Sequence, residues 1–219
     1  MVLVLLDATE ADATRFADIE HAAITPDAVN KTLFPGPFPK EGLSRAEVLT
    51  QYLRCDPACK WVKVVDTELE AKGEQATIAF SVWYFWESGG GTLPYPTWGT
   101  GTNPEACELY FGGLQKKWQE TFGGRPHAYL KFMHTTPSHR GRGAGSMMLA
   151  WGLSQADEKS LETYLQSSHE GRRLYEKLGF EQVETYVVDL SNWGGPPEDE
   201  VPIMIRPLQR SVSSSLANQ

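Results

Sequence analysis

Between Arg140 and Gly145 the chain sets three glycines and two arginines in six residues, and an apolar run, Ala144–Glu158, follows at once. The first turn of a helix has unpaired N–H groups and a partial positive charge. Glycines let a ligand approach the backbone with no Cβ in the way, and arginines add charge-assisted bonds to phosphate oxygens. The expected guest is a phosphate or pyrophosphate. Two familiar phosphate motifs do not fit. Gly145-Ser146 lacks the lysine of a Walker A loop. Gly141-Arg-Gly143-Ala-Gly145 has the wrong spacing, and lies too late in the chain, for a dinucleotide fingerprint. Taken alone, the turn is more often a tight connection with solvated arginines than a ligand cradle.

Elements on either side must position this turn. His127–Thr135 reads as a strand that runs straight into it, and Ala144–Glu158 as a helix bearing Met147, Met148, Trp151 and Leu153. Upstream, Val2–Leu6 is a buried-type strand and Asp7–His21 a helix. Pro26–Gly42 is a loop with four prolines, and Ser44 with Glu47 is a capping box that opens a helix over Arg45–Arg54. Trp61–Glu68 and Ala76–Trp86 are strands around a charged turn, and Glu105–Phe122 is a helix. Between them Glu87–Pro104 is too long for an ordinary connection, which points to a functional or mobile loop. Downstream come a strand at Leu161–Ser168, a short helix at Glu170–Gly179, and strands at Phe180–Leu190 and Val201–Pro207. Strands alternate with helices at both ends and a hairpin lies between, which is an α/β or α+β chain with a mixed sheet covered by helices. Residues 1–210 read as one domain and 211–219 as a frayed polar tail.

Composition narrows the partners. The net charge of −8 over 219 residues, with few dense basic clusters, argues against a nucleic-acid surface. Three cysteines form no disulfide framework and no second metal-ligand pair, so the expectation is reduced thiols and no metal. The N-terminal apolar run is too short for a signal peptide and no stretch approaches a membrane span, so a cytoplasmic protein that does not engage membrane is expected.

The run from Met133, Met-His-Thr-Thr-Pro-Ser-His-Arg-Gly-Arg-Gly-Ala-Gly, resembles motif A of the GNAT family of N-acetyltransferases, Arg/Gln-x-x-Gly-x-Gly/Ala, with Arg140, Gly143 and Gly145 in the matching positions. Gly171–Phe180, with its Leu-Tyr-Glu-Lys-Leu-Gly-Phe run, looks like the family's motif B. The resemblance spans about Tyr129–Leu190 and implies a central mixed, largely antiparallel sheet splayed beside motif A, with helices on both faces. It implies acetyl-CoA as co-substrate, its pyrophosphate on Arg140, Gly141, Arg142, Gly143, Ala144, Gly145 and Ser146. Its pantetheine would pair with the main chain of Met133 and Thr135, although a threonine at 135 departs from the usual aliphatic. Met133 N–H would stabilise the oxyanion, and Tyr175 would give a proton to the leaving thiolate, since a tyrosine with a pKa near ~10 stays protonated at neutral pH.

A route for the amine's proton is less legible. Candidates are His127, Tyr129, Lys131 and His134 on the strand before the turn, Glu20-His21, or ordered water alone. Strict alternation puts Tyr129 and Lys131 on the face of Met133 and Thr135, with His134 opposite as a packed histidine. A lysine is a poor base unless its pKa is depressed. For the acceptor, Leu33, Phe34, Phe38, Tyr95 and Trp98 in two loops suggest a small, apolar or aromatic amine handled by a monomer or homodimer. The alternatives are a peptide acceptor, or a catalytically silent acyl-CoA sensor.

Overall fold

The computed structural model describes residues 2–24, 27–38 and 43–209. In chain order its strands and helices are β1 (Leu3–Asp7), α1 (Ala13–Ile24), α2 (Ala28–Leu33), α3 (Arg45–Cys55), β2 (Cys59–Asp66), α4 (Thr67–Ala71), β3 (Thr77–Trp86), α5 (Pro104–Cys107), α6 (Gly113–Phe122), β4 (His127–Thr135), α7 (Ala144–Glu158), β5 (Thr163–Gln166), α8 (Arg172–Glu176), β6 (Glu181–Val188) and β7 (Asp199–Arg206). Local chemistry sets several of these ends. Ser44 and Glu47 close the expected capping box on α3, Asp27 caps Val29 on α2, and Gly123 ends α6 at φ +39°.

Among the described residues seven strands form one sheet in the order β1-β2-β3-β4-β5-β7-β6. Only β4 and β5 pair parallel; the other neighbours are antiparallel. This is the mixed, largely antiparallel sheet that the sequence leads one to expect. Every residue of β3 is buried, as its nearly unbroken apolar run requires of a central strand covered on both faces. On one face α1, α3 and α6 bury Phe16, Leu49 and Trp118 against Phe80, Val82, Tyr84 and Trp86. On the other, α7 lays Leu149, Leu153 and Ala156 against Trp83, Phe85 and Leu130. A closer approach marks this second layer: a Cβ on Gly152 of α7 would overlap the indole of Trp83. Gly152→Ala is therefore expected to destabilise the fold by about 1–3 kcal/mol through overpacking, read as a lower urea midpoint with an unchanged slope.

The sequence reading needs amending in three stretches. The charged turn after β2 holds a short helix, α4, started by the Asp66 side chain on Glu68 N–H. The loop Pro26–Gly42 contains α2, whose Leu33 is buried rather than offered to a ligand; residues 26 and 39–42 of that loop lie outside those described. The helix expected over Glu105–Phe122 widens to a π-turn at Glu108–Gly112. Tyr186 Oη donates to the Leu109 carbonyl at 2.7 Å, satisfying a carbonyl of the widened turn. The long Glu87–Pro104 loop is docked, not loose. Leu93 O accepts from Gln115 Nε2 at 3.3 Å, Gly101 O from Gly36 N–H at 2.9 Å, and Trp98 Nε1 donates to Glu108 Oε2 at 3.2 Å. No described helix is long and apolar enough to cross a membrane.

Candidate active site

The site starts where β4 leaves β5. The two strands pair over only three positions, Ala128↔Thr163 to Leu130↔Leu165. On its other edge β4 stays paired with β3 as far as Thr135. From Lys131 onward one edge of β4 is therefore open, and backbone groups on that edge have no strand to bond. Which groups these are follows from a bulge. The register with β3 passes from Val82↔Phe132 to Trp83↔Leu130, so Lys131 is the extra residue.

The bulge resets both parities of the strand. Before it, Ala128 N–H bonds toward β5, to Glu162 O at 2.8 Å. After it, Thr136 N–H bonds toward β3, to Ile78 O at 2.9 Å. By alternation the main-chain groups of Met133 and Thr135 then face the open edge. The side chains shift as well, and this corrects the face assignment made from strict alternation. Met133 lies on the α7 face, near Gly145 and Leu174. His134 lies on the opposite face with Tyr129 and Lys131, its ring 5.6 Å from Phe80 and 6.4 Å from Phe132. One inserted residue turns every later side chain over.

Beyond the open edge comes the glycine turn. Gly141 and Gly143 sit at φ +74° and +92°, and a Cβ at either position would meet only open space. Gly143 is also the N-cap of α7 and supplies no side chain to bond the first-turn N–H groups. The N–H groups of Ala144, Gly145 and Ser146 are consequently left for an outside acceptor, at the positive end of a 15-residue helix. This uncapped, open cradle fits a pyrophosphate.

Its two arginines have different surroundings. Arg142 is bound into the fold: Nη2 meets the buried Asp66 carboxylate at 2.5 Å and Nη1 lies 2.7 Å from His139 Nδ1. That arginine lowers the Asp66 pKa and ties the turn to the end of β2. Arg140 is exposed and, among the described residues, its one hydrogen bond is a long one to Ala23 O, at 3.4 Å, near the end of α1. Arg140 is thus the more available of the two for an anion.

Tyr175 of α8 joins Met133 in one apolar cluster. It is buried against Phe180, with ring centroids 5.7 Å apart, and burial pushes its phenol up to about 12. The proton-route candidates separate clearly. His127 accepts from Trp118 Nε1 at 2.8 Å, its Nδ1 lies 2.8 Å from Arg125 O, and burial drops its pKa to about 4. It is a neutral, fully satisfied core histidine. Tyr129 donates to Gln166 Oε1 at 3.2 Å within the core. His134 is held down by burial against the opposing pull of Glu20, 3.9 Å away. Glu20 itself is bound by Arg45 through both oxygens, at 2.5 and 2.7 Å.

Lys131 differs from all of these. Its Nζ lies 5.4 Å from the Tyr129 ring and 5.5 Å from the Phe132 ring. Burial and the Arg45 charge lower its pKa to about 8. The sequence offered this lysine as a candidate but not the bulge that seats it where the strands part. Among the described residues no group of three or more His, Cys, Asp or Glu side chains is placed to hold a metal ion.

Residues 111–180 match the family model of the acetyltransferase (GNAT) family. No curated protein sequence matches the chain. Among solved structures, a histone acetyltransferase HPA2 and related acetyltransferase from Corynebacterium glutamicum is similar over 97% of this chain and 99% of its own, at 20% identity and a TM-score of 0.62. The mosquito arylalkylamine N-acetyltransferase like 5b covers 94% of this chain with 100% of its own, at 14% identity and 0.63. A GNAT superfamily phosphinothricin acetyltransferase from Sinorhizobium meliloti, solved in complex with acetyl-CoA, covers 98% with 92% of its own, at 14% identity and 0.56. At these identities the likeness is one of fold.

Proposed function

We propose that this chain, whose segment 111–180 matches the acetyltransferase (GNAT) family model and whose fold is like that of GNAT acetyltransferases, is an acetyl-CoA-dependent N-acetyltransferase acting on the primary amine of a small molecule. One observation carries the reading. A half-open β4 leads directly into an uncapped, glycine-lined helix start, so a strand-like donor tail and its pyrophosphate find successive partners along one path. Two neighbours named for small amine acceptors, an arylalkylamine and phosphinothricin, support the choice of a small molecule.

Acetyl-CoA supplies the acetyl group, activated as a thioester. The cradle from Arg140 to Ser146 holds the anionic part of the donor, with Arg142 pinned to Asp66 to keep the turn in shape. Met133 and Thr135 bind the tail through the main chain of the open edge. Met133 N–H is a preorganised donor for the oxygen that gains charge. Tyr175 holds its proton at any physiological pH and can deliver it to the departing sulfur. Lys131 takes the proton that the acceptor sheds, because a lysine with its pKa near 8 is partly neutral at working pH.

Two experiments test this. Incubation with acetyl-CoA and an amine panel, following free thiol, should show amine-dependent release; tight CoA binding with no turnover on any amine would make the protein a sensor. For the lysine, only the neutral form accepts a proton, so kcat should rise with pH through about 8 and then level. Lys131→Met is expected to lower kcat about tenfold and to remove that limb. A limb that survives the substitution would assign the proton to another acceptor.

A further inference from the structure

The half-buried lysines of the described chain are of two kinds. Lys63, Lys117 and Lys159 each meet a carboxylate at 2.6 Å, on Asp12, Glu184 and Glu87. Lys131 meets none among the described residues, and the neighbours of its Nζ are the Tyr129 and Phe132 rings. Glu20 of α1, which could neutralise a cation on this face, is already held through both oxygens by Arg45 of α3. Arg45 stands 5.2 Å from the Phe132 ring, so the lysine shares that ring with a second cation. The other titratable groups on this face carry no charge where Lys131 titrates. Burial pushes the phenols of Tyr52 on α3 and Tyr129 on β4 up, and holds the His134 imidazole down. With its pKa at about 8, Lys131 is a free amine in about half of the molecules near pH 8.

An unpaired neutral amine is a nucleophile as well as a base. Its position makes the second property matter. Lys131 is the bulge residue at the point where β4 loses β5, two positions before Met133, whose main chain faces the open edge. Two residues of strand span about 7 Å, a distance that a four-carbon stem with free rotation covers. The proton route leads to the same place. A base that takes the acceptor's proton must come within hydrogen-bond reach of the attacking nitrogen. With no acceptor bound, the lysine nitrogen is itself the amine beside the thioester carbonyl.

We propose that Lys131 is a self-acetylation site, whose Nζ takes the acetyl group from bound acetyl-CoA when no acceptor is present. The proposal rests on the acetyl-transfer reading for the donor. The Nζ lone pair forms the new N–C bond at the thioester carbonyl, and the oxygen gains charge against Met133 N–H. The C–S bond then breaks and the thiolate takes the Tyr175 proton. The nitrogen sheds one proton to solvent, and Tyr175 recovers one from solvent. The products are an Nε-acetyl-lysine and free CoA. An amide nitrogen accepts no proton, so the modified protein has lost the base assigned above. Donor without acceptor therefore switches the protein down.

Incubation of the intact protein with acetyl-CoA alone, followed by peptide mapping in a mass spectrometer, tests this. Lys131 should be acetylated about tenfold or more faster than the exposed Lys60, Lys72 and Lys116, because a bound thioester is a fixed neighbour and not a chance encounter. Gly143→Glu, expected to lose the donor, should bring Lys131 down to the rate of the exposed lysines. Tyr175→Phe should slow Lys131 and leave the exposed lysines unaffected. The Lys131 rate should rise with pH through about 8 and then level. After such incubation kcat toward an amine should fall about tenfold, to the level expected of Lys131→Met. A Lys131 left unmodified in protein that binds acetyl-CoA and acetylates an amine overturns the proposal and leaves the transfer reading standing. Acetylation no faster than at Lys60, or equally fast in Gly143→Glu, overturns it as background chemistry. Acetylation of Lys131 with no amine accepted keeps the proposal while the small-molecule reading falls, and no binding of acetyl-CoA in a calorimetric titration removes both.

Discussion

Gly143→Glu should abolish acetyl-CoA binding, with Kd rising by about 10³-fold or more. The figure follows from where the new charge lands. A glutamate at the N-cap of α7 would put a carboxylate among the N–H groups proposed to hold pyrophosphate. At about 4 Å and an effective dielectric near 20, two like unit charges repel by roughly 4 kcal/mol, which is about 10³ in affinity. The carboxylate would in addition take those N–H groups for itself, as acidic N-caps do. Gly143→Ala separates charge from backbone strain. Its Cβ would meet no atom within 4 Å, but alanine must adopt φ +92°. That conformation costs an L-residue about 1–2 kcal/mol, so alanine should weaken binding by tenfold or a little more. Calorimetric titration with acetyl-CoA on both variants checks the pair. Normal binding by Gly143→Glu would mean that the turn is a connection and not a cradle.

The contrast between this turn and the rest of the site shows what a sequence carries on its surface. A glycine pair before an apolar helix, and a Leu-Tyr-Glu-Lys run, are local signals; the first stands at the start of α7 and the second runs through α8. The capping box at Ser44 is local too, and it is there. The β4 bulge is not local. It exists because Val82 and Trp83 of β3, adjacent in the chain, take partners two residues apart, Phe132 and Leu130, and nothing between His127 and Thr135 announces it. Strict alternation therefore put Lys131 with Met133 and set His134 against it, the reverse of the grouping found.

Tyr175→Phe is expected to lower kcat about 10²-fold, the usual range for losing a general acid, while the Kd for acetyl-CoA changes little. The split matters because Tyr175 also packs in the core, where the phenylalanine ring keeps the contact with Phe180. Its hydroxyl makes no hydrogen bond to another described residue, so the substitution orphans no protein group and the urea midpoint should hold. A structural role would move stability or donor affinity; an acid role moves kcat alone. The pH profile supplies a second discriminant. Burial holds the phenol near 12, so its protonated form persists across the assay range and contributes no falling limb below about pH 10. The rising limb assigned to Lys131 should thus survive in Tyr175→Phe, shifted down in rate and unchanged in midpoint. A variant with wild-type kcat at every pH would remove Tyr175 from the chemistry, and the sulfur would then leave protonated by solvent or by another group.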